Sequence, residues 1–195
     1  MVVGTHKLKN HKCLRKIQIA VNCQVIDESS SERLFGVVVN NELTWKSHIH
    51  GDKNNEGLIS QLSKRVGIIK HLSKHMSRPR LHEFAAAMFY SKLSYCLPVF
   101  GHVFGLEIYK ENNSRYSSFT ILDNNKLQVL QNKLNRVLTG MDLRTPTSTS
   151  LRETNSLSIQ QMIAYQTIMM AKKIIVSNKP TYIAERFYKK ICRSI

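Results

Sequence analysis

The sequence predicts an α+β protein, mostly α, in which a small antiparallel β layer at the N-terminus is followed by a helical bundle. Three observations predict it. Ile17, Ile19 and Val21 alternate with Gln18 and Ala20 early in the chain, the period of a strand with one buried face. From Leu58 onward apolar residues recur at steps of three and four, the period of a helix. The composition, 42% hydrophobic and 22% charged over 195 residues, is that of a chain able to bury a core, either as one substantial domain or as a small lobe on a larger helical one.

The β layer is expected from Met1–Thr5, Lys16–Val21 and Leu34–Val39, each rich in branched apolar residues. Lys7 to Lys16 reads as a basic loop, and the polar run Asp27 to Glu32 as the connection into the third strand. Leu58 to Met76 is the clearest helix. Its stripe is Leu58, Leu62, Val66, Ile69, Leu72 and Met76, with Lys64, Lys70, His71, Lys74 and His75 on the opposite side of the wheel. Arg78-Pro79 interrupts it and suits the first turn of a second helix, Arg80 to about Cys96, apolar almost all round and so expected at the centre of the core. Pro98 and Gly101 should end that helix, and Gly101 to Ile121 is patterned too poorly for a regular element. Asp123 is placed to cap a helix Asn124–Thr139 stopped by Gly140, with Leu127, Leu130, Leu134, Val137 and Leu138 inward. A Ser/Thr loop from Thr145 leads to a short helix Ser150–Thr154. Ser158 then caps a longer helix to Val176, Asn178-Lys179-Pro180 breaks it, and a basic helix Tyr182–Lys190 closes the pattern.

Charge narrows the partner. With 29 Lys+Arg against 13 Asp+Glu the formal net is +16, a surface that attracts polyanions. The basic residues run along the whole chain instead of gathering beside one amphipathic end, which favours nucleic acid over a membrane surface. The longest apolar runs, near Phe84–Tyr90 and Leu34–Val39, fall far short of the roughly 20 residues that a spanning helix needs. Met1–Thr5 lacks the pattern of a secretory signal, so an intracellular product, in nucleus or cytoplasm, is expected. The cysteines Cys13, Cys23, Cys96 and Cys192 form no Cys-x-x-Cys pair and read as free thiols.

Catalytic chemistry is hard to assemble. A two-metal polymerase site needs carboxylates that hold cations about 4 Å apart, whereas Asp27, Asp52, Asp123 and Asp142 are scattered, each in an expected loop or cap. His71 and His75 have the four-residue spacing of a helical metal pair but lack the intervening glutamate, and His48-Ile49-His50 has no third ligand in prospect, so capping or surface roles are expected there. Neither catalytic nor metal-binding residues are therefore assigned. Lys126, Lys133 and Arg136, offset by seven and three residues, fall on one flank of their helix. With Lys64, Lys70 and Lys74 they could follow the phosphates of a duplex, independently of sequence and sensitively to salt. A plain solvated face explains each helix about as well when taken alone.

Arg33-Leu34-Phe35-Gly36-Val37-Val38-Val39-Asn40-Asn41-Glu42-Leu43-Thr44-Trp45-Lys46-Ser47-His48-Ile49 resembles the primer-grip motif of LINE-type (jockey-like, non-LTR) retrotransposon reverse transcriptases. That family shows a basic residue, an aromatic, Leu-Gly, a hydrophobic strand, Asp, then Leu-x-Trp-x-x-His. This chain departs with Leu34-Phe35 for aromatic-Leu and Asn40 for Asp. Three further segments resemble the family in its order: Tyr90 to Gly101, with Phe100 where Trp is usual; Leu127 to Arg136, containing Gln131-Asn132-Lys133; and Leu157 to Ile163.

The resemblance implies a palm remnant with a primer-grip hairpin over 1–50 and a helical thumb or connector over 51–195. It implies that Leu34, Phe35 and Gly36 support a primer end while the helices hold an RNA–DNA or DNA duplex. The family's aromatic-x-Asp-Asp motif is absent from this sequence, so the expectation is a fragment of an RNA-directed DNA polymerase that is not an enzyme alone. It would carry no cofactor of its own, although the parent polymerase needs magnesium, and its partners would be template–primer and the missing palm and fingers. The alternative expectation, from a different class, is a helical protein-interaction module centred on Leu58 to Tyr95.

Overall fold

The structure, a computed structural model, describes residues 19–21, 24–26, 29–41, 45–101 and 121–191. The expected strand Met1–Thr5, the basic loop Lys7–Lys16, Asp27, Glu28 and most of the stretch Gly101–Ile121 lie outside the described residues, as do Cys13, Cys23 and Cys192.

The protein is mostly helical, with antiparallel strands on its N-terminal side. Strands β1 (Ile19–Val21) and β2 (Gln24–Ile26) pair in the register Ile19↔Ile26. Strands β3 (Ser31–Leu34) and β4 (Val37–Asn40) form a second ribbon in which Leu34 faces Val37. Only Phe35 and Gly36 separate them. Both have positive φ, +48° and +80°, the condition for a two-residue turn that matches the twist of the strands it joins. The expected single strand Leu34–Val39 is therefore corrected to a hairpin, and the polar residues Ser31 and Glu32, expected in a connection, form its first strand.

β4 hands the chain to a one-turn helix α1 (Lys46–His50), whose Ile49 is fully buried. The following loop folds back sharply. Asp52 Oδ1 accepts from the backbone N–H groups of Asn54 (3.0 Å) and Asn55 (2.8 Å), and Gly51 bridges to Glu56. At Gly57 a Cβ would lie 2.2 Å from the His50 carbonyl carbon, so only glycine lets the two ends of this loop meet.

Helix α2 (Leu58–Leu72) buries Leu58, Leu62, Val66 and Ile69, as its stripe predicts. Pro79 sits in the first turn of α3 (Arg78–Ala85), which runs on through a π-helical turn (Ala86–Tyr90) into α4 (Ser91–Ser94). This composite helix is central to the core through Leu81, Ala85, Phe89 and Leu93, yet Ala86 and Ala87 are exposed, so it is not apolar all round. Cys96, at φ +56°, turns the chain into α5 (Leu97–Phe100). Pro98 thus opens a short helix where a stop was expected, because the first turn has no hydrogen bond for proline to lose.

Helix α6 (Ile121–Thr139) lies against α2 and α3 and ends at Gly140, whose φ is +73°. It begins before Asp123, which corrects the expected cap: Asp123 belongs to the first turn, 2% exposed, where a carboxylate complements the helix dipole. α7 (Thr147–Glu153) starts three residues earlier than expected, directly after Pro146. α8 (Ile159–Ser177) opens with the predicted cap, a full capping box between Ser158 and Gln161. α9 (Thr181–Ile191) packs on it. One core cluster runs from Ile49 on α1 through Leu62, Phe89, Phe100, Leu134 and Ile163, joining α1, α2, the composite helix, α5, α6 and α8.

Candidate nucleic-acid interface

The hairpin tip is the most distinctive surface feature. Val37 and Val38 anchor one strand of the ribbon in the interior, so the turn that joins the strands is pushed outward. Phe35 is 91% exposed and Leu34 51%. An apolar ring held out at the apex of a rigid turn gains nothing from the protein's own packing. Its backbone is fixed all the same: the Tyr95 hydroxyl donates to the Phe35 carbonyl oxygen at 2.5 Å. Gly36 faces the same ring, since a Cβ there would stand 3.6 Å from Tyr95 Cε1. The tip is thus tied to the end of α4.

The hairpin's other anchor is a histidine. The Val38 N–H donates to His48 Nδ1 at 3.4 Å, and the imidazole meets the Phe100 ring edge-on at 5.1 Å between centroids. Burial, with smaller contributions from Lys92 and Arg33, lowers its pKa from 6.5 to about 4, so it is neutral at physiological pH. The surface or capping role expected for His48 is corrected to a buried prop under β4. His50 has a different partner, Asp123, at 2.8 Å between Nε2 and Oδ1, which fastens α1 to the start of α6.

The expected cations divide into several environments. Lys70 on α2 and Lys74 in the turn after it are exposed. Lys64 is exposed too, but Glu56 Oε1 holds its ammonium at 2.8 Å, and that contact leads the causes that keep Glu56 below the usual carboxylate range. Lys126 and Lys133 are exposed on α6. Arg136 is half-buried and its Nε is cut off from solvent, so it stands apart from the open flank on which its spacing placed it. Since α2 and α6 pack on each other, the two sets of lysines occupy neighbouring helices.

Sequence reasoning missed a third cluster. Arg33 on β3 and Arg65 on α2 both bear on Lys92 of α4: burial first, then Arg33 and Arg65, lower the Lys92 pKa. Arg65 Nη1 donates to the carbonyl oxygen of Met88 inside the π turn. Such wide turns recur at functional sites.

The Gln131-Asn132-Lys133 segment has an internal task. Gln131 and Asn135 are fully buried. Gln131 Nε2 donates to the Leu157 carbonyl at 2.7 Å, Gln128 Oε1 accepts from the Ile159 N–H at 3.0 Å, and Asn132 Nδ2 donates to Thr147 Oγ1 at 2.9 Å. These amides lock α6 to α7 and to the start of α8, leaving Lys133 as the member that reaches solvent.

The carboxylates near this surface have partners of their own. The Asp52 carboxylate is engaged by its own turn, led by the Asn54 N–H, which lowers its pKa, and Asp123 is engaged by His50. Among the described residues no three His, Cys, Asp or Glu side chains are grouped to hold an ion. His71 and His75 approach with ring centroids 5.8 Å apart and have no third donor within such a group. Likewise, no helix among the described residues is long and apolar enough to cross a membrane.

Comparison with protein-family models, with curated proteins and with solved structures finds no match for this chain.

Proposed function

We propose that this chain binds a nucleic-acid duplex without copying it, as the primer-grip hairpin and helical thumb of a LINE-type reverse transcriptase would. The observation that carries the reading is the Phe35 tip: an almost fully exposed aromatic ring, fixed through its own carbonyl, on the face of a strongly basic chain. Such a ring can stack on a terminal base while exposed lysines contact phosphates, and neither interaction requires a particular sequence. Lys70, Lys74, Lys126 and Lys133 are the open cations for that purpose. The Asp52, Glu56 and Asp123 carboxylates have partners of their own, and the reading assigns binding and positioning to the chain and no phosphoryl transfer. Extension of a primer would need palm and fingers residues that this sequence does not contain.

The test is an anisotropy titration of a fluorescent RNA–DNA hybrid. Affinity should fall steeply between about 50 and 200 mM salt, as expected when several phosphates are contacted, and K126A/K133A should flatten that slope. A salt-independent affinity, or template-dependent nucleotide incorporation by the pure chain, overturns the reading.

A second reading, a helical protein-interaction module, is favoured by α8. Tyr165, Ile168, Met169 and Val176 are all exposed there, between 46% and 77%, on an otherwise ordinary helix. Continuous apolar exposure of this kind marks contact surfaces. Concentration-dependent sedimentation that is lost in I168E/M169E, together with absent hybrid binding, would favour this reading over the first.

A further inference from the structure

Beside the hairpin, β3, the loop 52–56, α2 and the π turn enclose an open cavity of about 440 Å³. We propose that this cavity is a discrete phosphate pocket that receives one phosphate group carried on a flat or apolar body, as in a nucleotide unit, with Arg33 and Arg65 as its ligands. The inference deepens the nucleic-acid reading and rests on it for the identity of the phosphate's carrier.

Charge bookkeeping inside the pocket points to an anion. Arg33, Lys64 and Arg65 line it, and among the described residues the one carboxylate in the wall, Glu56, is taken by Lys64. Arg65 spends one N–H on the neutral carbonyl of Met88, which orients the guanidinium and leaves its charge uncancelled. Among the described residues no carboxylate forms an ion pair with Arg33, Arg65 or Lys92. Lys92, half-buried on α4, is held below the ordinary lysine range first by burial and then by Arg33 and Arg65. Two arginines from separate elements thus bring like charge to a third cation, and a phosphate bound by both would offset it.

The geometry selects the kind of anion. A guanidinium fixed at one N–H still offers a fork of donors that matches two phosphate oxygens, which a point-charge ammonium does not. The rest of the wall is mixed: Ile68 and Met88 supply an apolar side, while the amide nitrogens of Asn55 and Gln61 donate to Asp52 Oδ1 and the Glu56 carbonyl, which leaves their amide oxygens as acceptors for a polar edge. A bare inorganic ion would use only the cationic corner. A nucleoside phosphate would use both. The position also suits the tip, because Arg33 is two residues from Phe35 along β3, so a strand whose end stacks on Phe35 brings a backbone phosphate to the cavity mouth.

The bland explanation is that these are solvated surface cations, for which nothing would bind at one-to-one stoichiometry. Three ligands separate the cases, each titrated by NMR or calorimetry into the full chain: inorganic phosphate, adenosine 5′-monophosphate and adenosine. The expected result is saturable one-to-one binding of the monophosphate, weaker binding of phosphate and none of adenosine. R33Q should weaken the monophosphate at least about tenfold, about 1.4 kcal/mol, while R152Q, at an exposed arginine of α7, leaves it unchanged. Arg33 is exposed on β3, so R33Q keeps the fold intact. R65K, which retains charge but not the fork, is the second variant, checked by its thermal melt. Equal binding by R33Q and R65K, equal binding of adenosine, or no saturation at millimolar ligand overturns the pocket. If the monophosphate binds as expected and the hybrid does not, the pocket stands and the duplex reading fails. The reverse outcome removes the pocket alone.

Discussion

The Tyr95 hydroxyl reaches back across sixty residues of sequence to the carbonyl oxygen of Phe35, and this single 2.5 Å bond fixes the hairpin tip to the end of α4. Both partners are solvent-exposed, so the bond contributes little to global stability, about 0.5–1.5 kcal/mol by the usual range. Its larger effect is on position. Tyr95→Phe keeps the ring against Gly36 and removes only the donor. We expect a change in unfolding free energy below about 1.5 kcal/mol and a several-fold loss of affinity for an RNA–DNA hybrid. The two are measured by urea denaturation and by anisotropy. Unaltered hybrid affinity would mean that the tip need not be held.

Phe35 sets stability against the proposed stacking. A non-glycine residue in the left-handed region loses roughly 1–2 kcal/mol relative to its favoured conformations, and asparagine tolerates that region better than an aromatic does. At φ +48° and 91% exposed, the ring recovers none of this through burial. Phe35→Asn should therefore raise the denaturation midpoint while lowering hybrid affinity, by about 1–3 kcal/mol if one base stacks on the ring. A variant that is more stable and binds equally well would show that the exposed ring has no ligand.

Much of the helical body was legible before any coordinates. The stripe Leu58, Leu62, Val66, Ile69 is buried as its period predicts, and Ser158 caps α8, because both signals are local in sequence. The hairpin was harder to read. By pattern alone Leu34 to Val39 looks like one strand, since only Gly36 suggests a turn and Phe35 is an unfavourable partner for it; the turn at Leu34, Phe35 and Gly36 came from the motif resemblance, not from the apolar pattern. Surroundings were also invisible. Lys64 reads as a free cation, yet the loop that brings Glu56 to it is shaped by Asp52 and Gly57. The convergence of Arg33, Arg65 and Lys92 leaves no trace in the sequence, because three distant elements create it. His48, between Ser47 and Ile49, gives no sign that β4 will cover it.

The buried amides of α6 should be costly to remove. Gln131 is fully buried and donates to the Leu157 carbonyl at 2.7 Å, while its own oxygen accepts from Gln128 Nε2 at 2.9 Å. Gln131→Leu preserves approximate volume and the helix, but strands a donor on one side and an acceptor on the other. The expected loss is about 1–3 kcal/mol, the range for leaving buried polar groups without partners. It should appear as a lower urea midpoint at unchanged m, with no change in the nucleic-acid salt slope. A loss of hybrid binding at full stability would instead place Gln131 in the interface.

His48 makes the hairpin sensitive to acid, and the sign follows from which state takes the proton more readily. Folding lowers its pKa from 6.5 to about 4, because burial disfavours the charged ring and Lys92 and Arg33 add repulsion. The unfolded chain therefore binds the proton first as pH falls. Stability is fully present above pH 6.5, declines on acidification toward the folded pKa of about 4, and no longer responds to this group below it. The whole shift corresponds to at most roughly 3 kcal/mol, at 1.36 kcal/mol per pKa unit. Protonation also occupies Nδ1, the atom that accepts from the Val38 N–H, so the ring cannot charge and keep this bond. Carboxylates such as Asp52 and Glu56, whose own pKa values are lowered, lose their contributions in more acidic solution. The interval from about pH 6.5 to 5 thus separates the histidine from these carboxylates, and the His48→Leu comparison separates it from the other histidines. Urea midpoints measured across that interval should fall for the native chain and stay level for His48→Leu. Parallel slopes for the two proteins would mean that His48 is not the group responsible.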